Sequence, residues 1–514
     1  MTLLLLGDQL SHDLAALGEA EDVLMIESRA FAARKRYHAH KLTLVFSAMR
    51  HFRDELRERG RAVTYLRAED FAEGFDRFAA EREDPDLRLM RPASHGAGER
   101  LRELAAERGI DLELLPNELF VTTPDDWRAW AGADADDPDA TFRQEDWYRH
   151  VRRETGVLME EDADAADGDP EPRPAGGAWN FDEENRETPP DDWAPPERAT
   201  FEPDALTREV HDWVTAAFET WGASSIDDFA WPVTAAEAEA ALERFVAERL
   251  PAFGDYQDAM VEGEPWLAHS LLSPAINLGL LDPMRAVRAA EDAYERGEAP
   301  INAVEGFVRQ LLGWREFVRH VYRAAMPELA DANRLDNHRD LPPAFWDGET
   351  EMTCLSEAVE HVRAFGYAHH IERLMVLSNF ALLYGADPHE LNEWFHLGFV
   401  DAYHWVTTPN VVAMGSFATD ALSSKPYASS GNYVNEMSDY CASCPYAVSR
   451  TTGEGACPFN ALYWDFLKEN EETLRGTGRM GLMYNHVDDK DDEEWAAIRD
   501  RAREVRERAA AGEL

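Results

Sequence analysis

TLLLLGDQL (2–10) opens the chain with an apolar run of strand length that turns polar at once, at Gly7-Asp8-Gln9. The run is far too short to span a bilayer and has no basic flank of the kind a secretory leader carries. Four more short apolar runs follow it, Val23-Leu24-Met25-Ile26, Val63-Thr64-Tyr65-Leu66, Leu87-Arg88-Leu89-Met90 and Leu112-Glu113-Leu114-Leu115. Between the second and the third, Leu44, Ala48, Met49, Phe52 and Leu56 recur at helical spacing, which predicts a helix with one face against a sheet. Strands alternating with helices make residues 1–125 a parallel α/β domain. Open sheets of this kind bind ligands beyond the carboxyl ends of their strands, which singles out Asp8 after the first strand and Glu27 after the second. The same two residues would serve equally well as helix caps or loop lining.

The sheet is Rossmann-like in its strand and helix alternation, although residues 1–125 contain no GxGxxG. From about 160 the composition changes to EEDADAADGDPEPRPAGG (160–177) and then ETPPDDWAPPERA (187–199), too poor in apolar residues to fold alone. Residues 126–204 are therefore expected to connect two domains, with GGAWNF (176–181) as an island that docks on a neighbour. Beyond 205 the apolar spacing is three and four, clearest in 237–250, 302–323, 354–384 and 457–468. This predicts a large all-helical domain over 205–514.

Acidic residues outnumber basic ones 100 to 51, for a net charge of −49, and they are spread along the whole chain. Lysine occurs only at 35, 41, 425, 468 and 490, so the cations are almost all arginine. This is the composition of a salt-adapted (halophilic) protein. A nucleic-acid-binding protein is normally basic, but in molar salt the Debye length falls to roughly 3 Å and global repulsion is screened. No stretch has the length of a membrane span, so the expectation is a cytoplasmic monomer that does not touch membranes.

The four cysteines are the most specific chemical signal: CASC at 441–444, Cys457 after it and Cys354 far upstream. A CxxC followed by a third cysteine lets one loop offer three thiolates, and a fourth from a helix closes the set. A four-thiolate zinc site and a [4Fe-4S] cluster both fit, and two disulfides are the plainer alternative. Tyr440, Tyr446, Phe459 and Trp464 crowd around the cysteines, an apolar shell that suits an oxygen-sensitive cluster better than zinc.

With these cysteines in place, the chain resembles the iron-sulfur bacterial cryptochromes and photolyases, also called deoxyribodipyrimidine photolyase-related proteins, a prokaryotic (6-4) photolyase-like family. The likeness runs over most of the length: GDQLS (7–11), HKLTLVFSAMRHF (40–52), GGAWNFDEENR (176–186), HSLLSPAINLGLLDP (269–283), GWREFVR (313–319), HHIERLMVLSNF (369–380), WVTTPNVVAMGSFATD (405–420) and KPYASSGNYVNEMSDYCASCPY (425–446). It implies the photolyase/cryptochrome fold, FAD in the helical domain, an antenna chromophore in the α/β domain, expected to be 6,7-dimethyl-8-ribityllumazine, and a [4Fe-4S] cluster on Cys354, Cys441, Cys444 and Cys457.

For the flavin, the resemblance implies contacts from Tyr256, from the turn His269-Ser270-Leu271-Leu272-Ser273, and from Gln310, Arg315, Arg373, Asp401 and Asn410. Without it, Ser270 and Ser273 read as helix caps and Arg373 with Asp401 as a plain salt bridge. Gln310 and Arg315 stand five apart, about 140° on an α-helix, so they share a face only if the helix bulges near Gly313. For the antenna, Asp8, Glu27, Tyr37 and Lys41 are the expected wall residues.

The activity implied is light-dependent repair of UV-damaged DNA by a lyase, a deoxyribodipyrimidine or (6-4) photolyase. An electron would pass from excited reduced FAD to a lesion flipped out of the duplex. His370, or its neighbour His369, would donate the proton that (6-4) chemistry needs; either could instead be a core histidine. Trp394 and Trp346 match positions of an electron relay, and Tyr427 and Tyr433 are candidates for lesion contact or the relay. Phe395 and Thr407 depart from some relatives, which carry tyrosine and an acid there. Two other readings stand beside repair: a cryptochrome-type blue-light receptor with the same cofactors, and a four-cysteine metal protein that binds nucleic acid.

Overall fold

The computed structural model describes residues 2–160, 172–190, 192–223, 225–477 and 480–514. Five parallel strands, β1 (Thr2–Leu5), β2 (Asp22–Ser28), β3 (Ala62–Ala68), β4 (Asp86–Met90) and β5 (Asp111–Leu115), form one sheet in the order β3-β2-β1-β4-β5. All four residues of β1 are buried, because both faces of a parallel sheet are covered. The helix Ala39–Glu58 buries Leu44, Ala48, Met49, Phe52 and Leu56, the face its spacing predicts. Phe75 and Phe78 of the helix Phe71–Ala79 cover the other side of the sheet.

The strand order reverses at β1, so the crevice for a ligand lies beyond its carboxyl end. There Gln9 Nε2 donates to the Met90 carbonyl at 2.7 Å, and the Leu10 amide donates to the Leu278 carbonyl at 2.8 Å. The first loop is thereby tied to β4 on one side and to the helical part on the other. Gly7 lets the loop lie close over the helix Ala39–Glu58, since a Cβ would stand 3.0 Å from Val45 Cγ1 and 3.1 Å from Met49 Sδ.

Glu27 has a different occupation from the antenna wall expected of it. Its buried carboxylate accepts from Arg50 Nε and Nη2 at 2.7 and 3.1 Å and from the Tyr65 hydroxyl, and pairs with Arg67 at 3.2 Å. The Arg50 and Arg67 guanidinium groups also lie 5.2 and 4.7 Å from the Trp213 ring, so the group braces the sheet against the helix Ala205–Ala217. Removing one partner of a buried pair strands the other charge. Arg50→Ala is therefore expected to cost about 3–5 kcal/mol, read as a fall in the denaturation midpoint. An unchanged midpoint would show that the pair contributes nothing net.

The span expected to connect the domains, 126–204, begins as core. Helices Pro124–Ala131 and Gln144–Thr155 bury Trp127, Trp147 and Tyr148 completely, and the Tyr148 hydroxyl donates to Glu305 Oε1 at 2.9 Å. The acidic run loses its apolar residues only after these helices, and most of it, 161–171, lies outside the described residues. The docking island is in place. Guanidinium groups of Arg149, Arg152 and Arg153 lie 5.5, 5.3 and 4.6 Å from the Trp179 ring, and the Phe181 amide donates to Glu305 Oε2 at 3.1 Å.

The remainder is helical, and among the described residues no helix is long and apolar enough to cross a membrane. Among the described residues four segments within these helices are π-helical: Phe245–Arg249, Arg309–Arg315, Glu372–Ser378 and Pro409–Gly415. Such segments are rare and gather at functional sites. Three of the four carry residues singled out from the sequence.

Candidate functional site

Arg373 and Asp401 come together from the π-helical segment Glu372–Ser378 and the turn after the helix Pro388–Gly398. Arg373 Nη1 and Nη2 donate to the two oxygens of Asp401, each at 3.1 Å, a bidentate pair. Ser273 Oγ adds a third donor at 2.7 Å, and Asn277 Nδ2 holds the Asp401 carbonyl at 2.9 Å. Burial pushes the Asp401 carboxyl up, but Arg373 and the Ser273 hydroxyl outweigh it and hold the group below the usual carboxylate range. The guanidinium is fixed by its Nε on the Ala368 carbonyl at 2.6 Å and lies 4.3 Å from the Phe399 ring.

The turn before Ser273 is strained. Leu271 has a positive φ of 60°, unusual for leucine, which lets the chain double back between Ser270 and Ser273. Ser270 Oγ accepts from the Leu272 amide at 3.4 Å, a local cap. Ser273, one of the flavin contacts expected from the resemblance, donates its hydroxyl to Asp401.

Three histidines meet beside this pair. The rings of His269 and His369 stack at 4.8 Å and 16°, and His269 Nε2 lies 3.2 Å from His370 Nδ1. His370 Nε2 is 3.3 Å from Asp258 Oδ1, and its side chain is 45% exposed. His369 precedes the helix rather than lying on it and is buried; it approaches His269 together with His370 instead of pointing away. Burial, reinforced by the neighbouring imidazoles, pushes His269 and His369 well below the ordinary histidine value. Tyr433 belongs to the same surroundings: burial raises its phenol, and the Asp258 carboxylate raises it further. Tyr427 is half-buried against the core around the cysteines.

Gln310 and Arg315 bound most of the π-helical segment Arg309–Arg315, whose i→i+5 bonding stacks residues five apart. The bulge that the pair required is present. Arg315, however, turns to the seam with the α/β domain: it donates to the Leu119 carbonyl at 3.1 Å and to Glu316 at 3.0 Å, and lies 4.2 Å from the Phe120 ring. Glu316 accepts from Thr122 Oγ1 at 2.7 Å, and Arg319 donates to the Thr122 carbonyl at 2.7 Å, so this segment ties the two parts. Asn410 uses both ends of its amide inside the protein, accepting from Trp314 Nε1 at 3.0 Å and donating to the Val406 carbonyl at 2.7 Å. Tyr256 ends the helix Leu250–Tyr256, with its ring 4.7 Å from that of Trp193.

Trp394 is fully buried and donates to the Phe345 carbonyl at 2.8 Å; its ring stands 5.9 Å from Phe399. Trp221 joins it to Trp346, with ring centroids 5.9 Å from Trp394 and 6.0 Å from Trp346. Trp346 is half-buried, so the row Phe399, Trp394, Trp221, Trp346 leads from Arg373 toward the surface. Sequence reasoning missed Trp221, because one tryptophan among 15 in an unremarked stretch carries no local signal.

The four cysteines line one cavity with Gly431 and Tyr440, and all four are free thiols. They come from the helix Thr353–Phe365, the short helix Tyr440–Ser443 with its flank, and the residue before the helix Pro458–Glu469. A Cβ on Gly431 would stand 2.8 Å from Cys457 Sγ, so glycine keeps the cavity open. Burial, then the neighbouring thiols, pushes Cys354 well up; burial takes Cys441 to about 11 and Cys457 to about 12. Burial thus disfavours the thiolate forms of these three, and a bound cation would favour them. Glu372 connects this cavity to the histidines, accepting from the Tyr440 hydroxyl and from His361 Nδ1, both at 2.9 Å, and from the His369 amide at 3.3 Å.

Of the crevice residues, Asp8 is half-buried, and burial raises its carboxyl to about 6. Tyr37 is buried and accepts from Arg34 Nε at 2.9 Å. Lys41, expected in the antenna wall, reaches instead across the seam to the His396 and Ala402 carbonyls at 2.6 and 2.7 Å, and burial lowers its amine to about 7.

The family model for the deoxyribodipyrimidine photo-lyase-related protein matches residues 3–231. The (6-4) photolyase of Agrobacterium fabrum is 42% identical to this chain over 494 residues, covering 94% of both. A bacterial class III photolyase from Agrobacterium tumefaciens superposes with a TM-score of 0.59 at 16% identity, covering 99% of this chain and 96% of that one. A Synechocystis cryptochrome superposes with a TM-score of 0.53 at 15% identity, over 85% of this chain and 88% of its own. At those identities the superpositions speak for the fold alone.

Proposed function

The chain belongs to the prokaryotic (6-4) photolyase-like family of deoxyribodipyrimidine photolyase-related proteins and has the photolyase/cryptochrome fold, and from that membership we propose that it splits (6-4) pyrimidine photoproducts in UV-damaged DNA with light. The observation that carries the reading is His370: a half-exposed imidazole held by Asp258 and His269, one turn before the Arg373–Asp401 pair. Histidine is the side chain most often used to pass a proton near neutral pH.

FAD fits the residues present. Arg373 and Asp401 are braced in a single orientation, and the turn at Ser270–Leu271 facing Ser273 is held in a strained backbone, φ 60° at Leu271, of the kind kept where a ligand is clamped. Tyr256, His269, Ser270, Leu271, Gln310, Arg373 and Asp401 would hold it. When bound, reduced FAD supplies the light-excited electron. The guanidinium of Arg373 places a fixed positive charge beside that site, and Asp401 with Ser273 keeps it from swinging away. Asn410 and Arg315 act one layer out, holding the π-helical segments and the seam.

A [4Fe-4S] cluster fits the cysteine cavity, with four thiols from three segments and the glycine that leaves room for it. The lumazine antenna would take the crevice at Asp8 and Tyr37, without Glu27 and Lys41. The charge of −49 suits work in concentrated salt, where screening lets a lesion-bearing strand dock.

The aromatic row would recharge the site from outside. Trp221→Phe is expected to slow light-driven reduction of the bound flavin while leaving repair by chemically reduced protein intact, measured as flavin bleaching under blue light with a thiol reductant. Unchanged bleaching would remove Trp221 from the relay.

A photoreceptor reading has one observation in its favour, the buried Thr407 where some relatives carry an acid. Illumination of the reduced protein with damaged DNA separates the two. Lesion loss supports repair; flavin photoreduction without lesion loss supports sensing.

A further inference from the structure

We propose that His269, His369 and His370 form a binding site for one divalent transition-metal ion of the zinc class, held by three imidazole nitrogens with a fourth position open to solvent. One ligand nitrogen from each histidine lies within 4.8 Å of the other two. Two imidazoles on a tetrahedral zinc, each at 2.0–2.1 Å, have their nitrogens about 3.4 Å apart. His269 Nε2 and His370 Nδ1 already stand 3.2 Å apart. To share an ion, these two rings must exchange their mutual hydrogen bond for lone pairs turned to one point, and His369, stacked on His269 at 16°, must rotate its ring to join them.

The outer contacts are those of a metal site. A ligating histidine nearly always has its other nitrogen held by a carbonyl or carboxylate, which fixes the ring. His269 Nδ1 is 3.3 Å from the Trp266 carbonyl, and His370 Nε2 is 3.3 Å from Asp258 Oδ1. In each case the nitrogen left over is the one that faces the cluster. His369 is 1% exposed and both its ring nitrogens lack a hydrogen-bond partner, with Nε2 3.6 Å from Glu372 Oε2. A buried imidazole without partners is costly unless something fills its valence. Two of the ligands are buried and His370 is 45% exposed, so the ion would enter from the His370 side and keep a water there.

Three imidazoles with no carboxylate in the inner set select zinc, nickel, copper or cobalt over magnesium or calcium. The consequence rests on the proposed repair function: with His370 Nδ1 on a metal, that nitrogen is no longer available to carry a proton, and zinc would act as a reversible inhibitor of lesion splitting.

The test is equilibrium dialysis of the full, cofactor-loaded protein in the dark against zinc, with excess magnesium to occupy surface carboxylates. The wild type is expected to bind one zinc that His370→Ala, altered at the exposed ligand, and His369→Gln, altered at the buried one, each bind at least about tenfold more weakly. Absence of that zinc from the wild type, or binding by both variants as tight as the wild type's, overturns the site. Light-driven repair by the wild type is then followed with zinc and after chelation. Loss of repair that chelation restores supports the inhibitory role. Zinc bound at the three histidines with repair unchanged leaves the site standing and removes His370 from the proton step.

Discussion

His370→Ala is expected to lower light-driven repair of (6-4) photoproducts by about 10²–10⁴-fold, the range lost when a positioned acid is removed. The side chain is half-exposed and makes two polar contacts, to Asp258 and His269, so its removal leaves no large cavity. Flavin content should stay at the wild-type level, because Arg373, Asp401 and Ser273 hold one another without it. Asp258→Asn keeps a polar group opposite Nε2 but removes the charge, and should give a smaller loss together with a shifted pH profile. Repair by His370→Ala at the wild-type rate would end the role of this histidine.

Cys444→Ser should bleach the broad visible absorption of a thiolate-held iron-sulfur cluster and remove its iron. The four thiols come from segments far apart in sequence, so the metal is also a crosslink, and the melting temperature should fall with the colour. Burial holds Cys354, Cys441 and Cys457 protonated when no cation is present. Ligation must release those protons, and incorporation into metal-free protein should strengthen as pH rises. A colourless wild type that carries one zinc would replace the cluster by the zinc site. A Cys444→Ser protein with full colour and iron would exclude Cys444 as a ligand.

The five strands of the parallel sheet and the buried face of the helix Ala39–Glu58 were legible because period and apolar runs report burial directly, whereas the two-residue strands Met159–Glu160 and Arg173–Pro174 were not. The convergence of the cysteines and of Arg373 with Asp401 was legible through the family likeness and is matched by the geometry. Polar partners were not. Glu27, Arg315 and Lys41 each stand where a ligand contact was expected, yet each is satisfied by groups distant in sequence: Arg50 and Tyr65, the Leu119 carbonyl, and the His396 and Ala402 carbonyls. Periodicity reports that such a residue is inside, not what meets it. The same limit hid Trp221, whose meaning lies only in its two tryptophan neighbours. The helices Pro124–Ala131 and Gln144–Thr155 were assigned to a connector because the acidic run that follows dominates the composition of 126–204.

The most direct test is made with photoreduced protein and an oligonucleotide carrying one defined (6-4) lesion, in molar salt, with chromatographic counting of restored pyrimidines in light and in darkness. Restoration in the light alone is the predicted result. No restoration under light that still photoreduces the flavin would contradict repair and leave a photoreceptor.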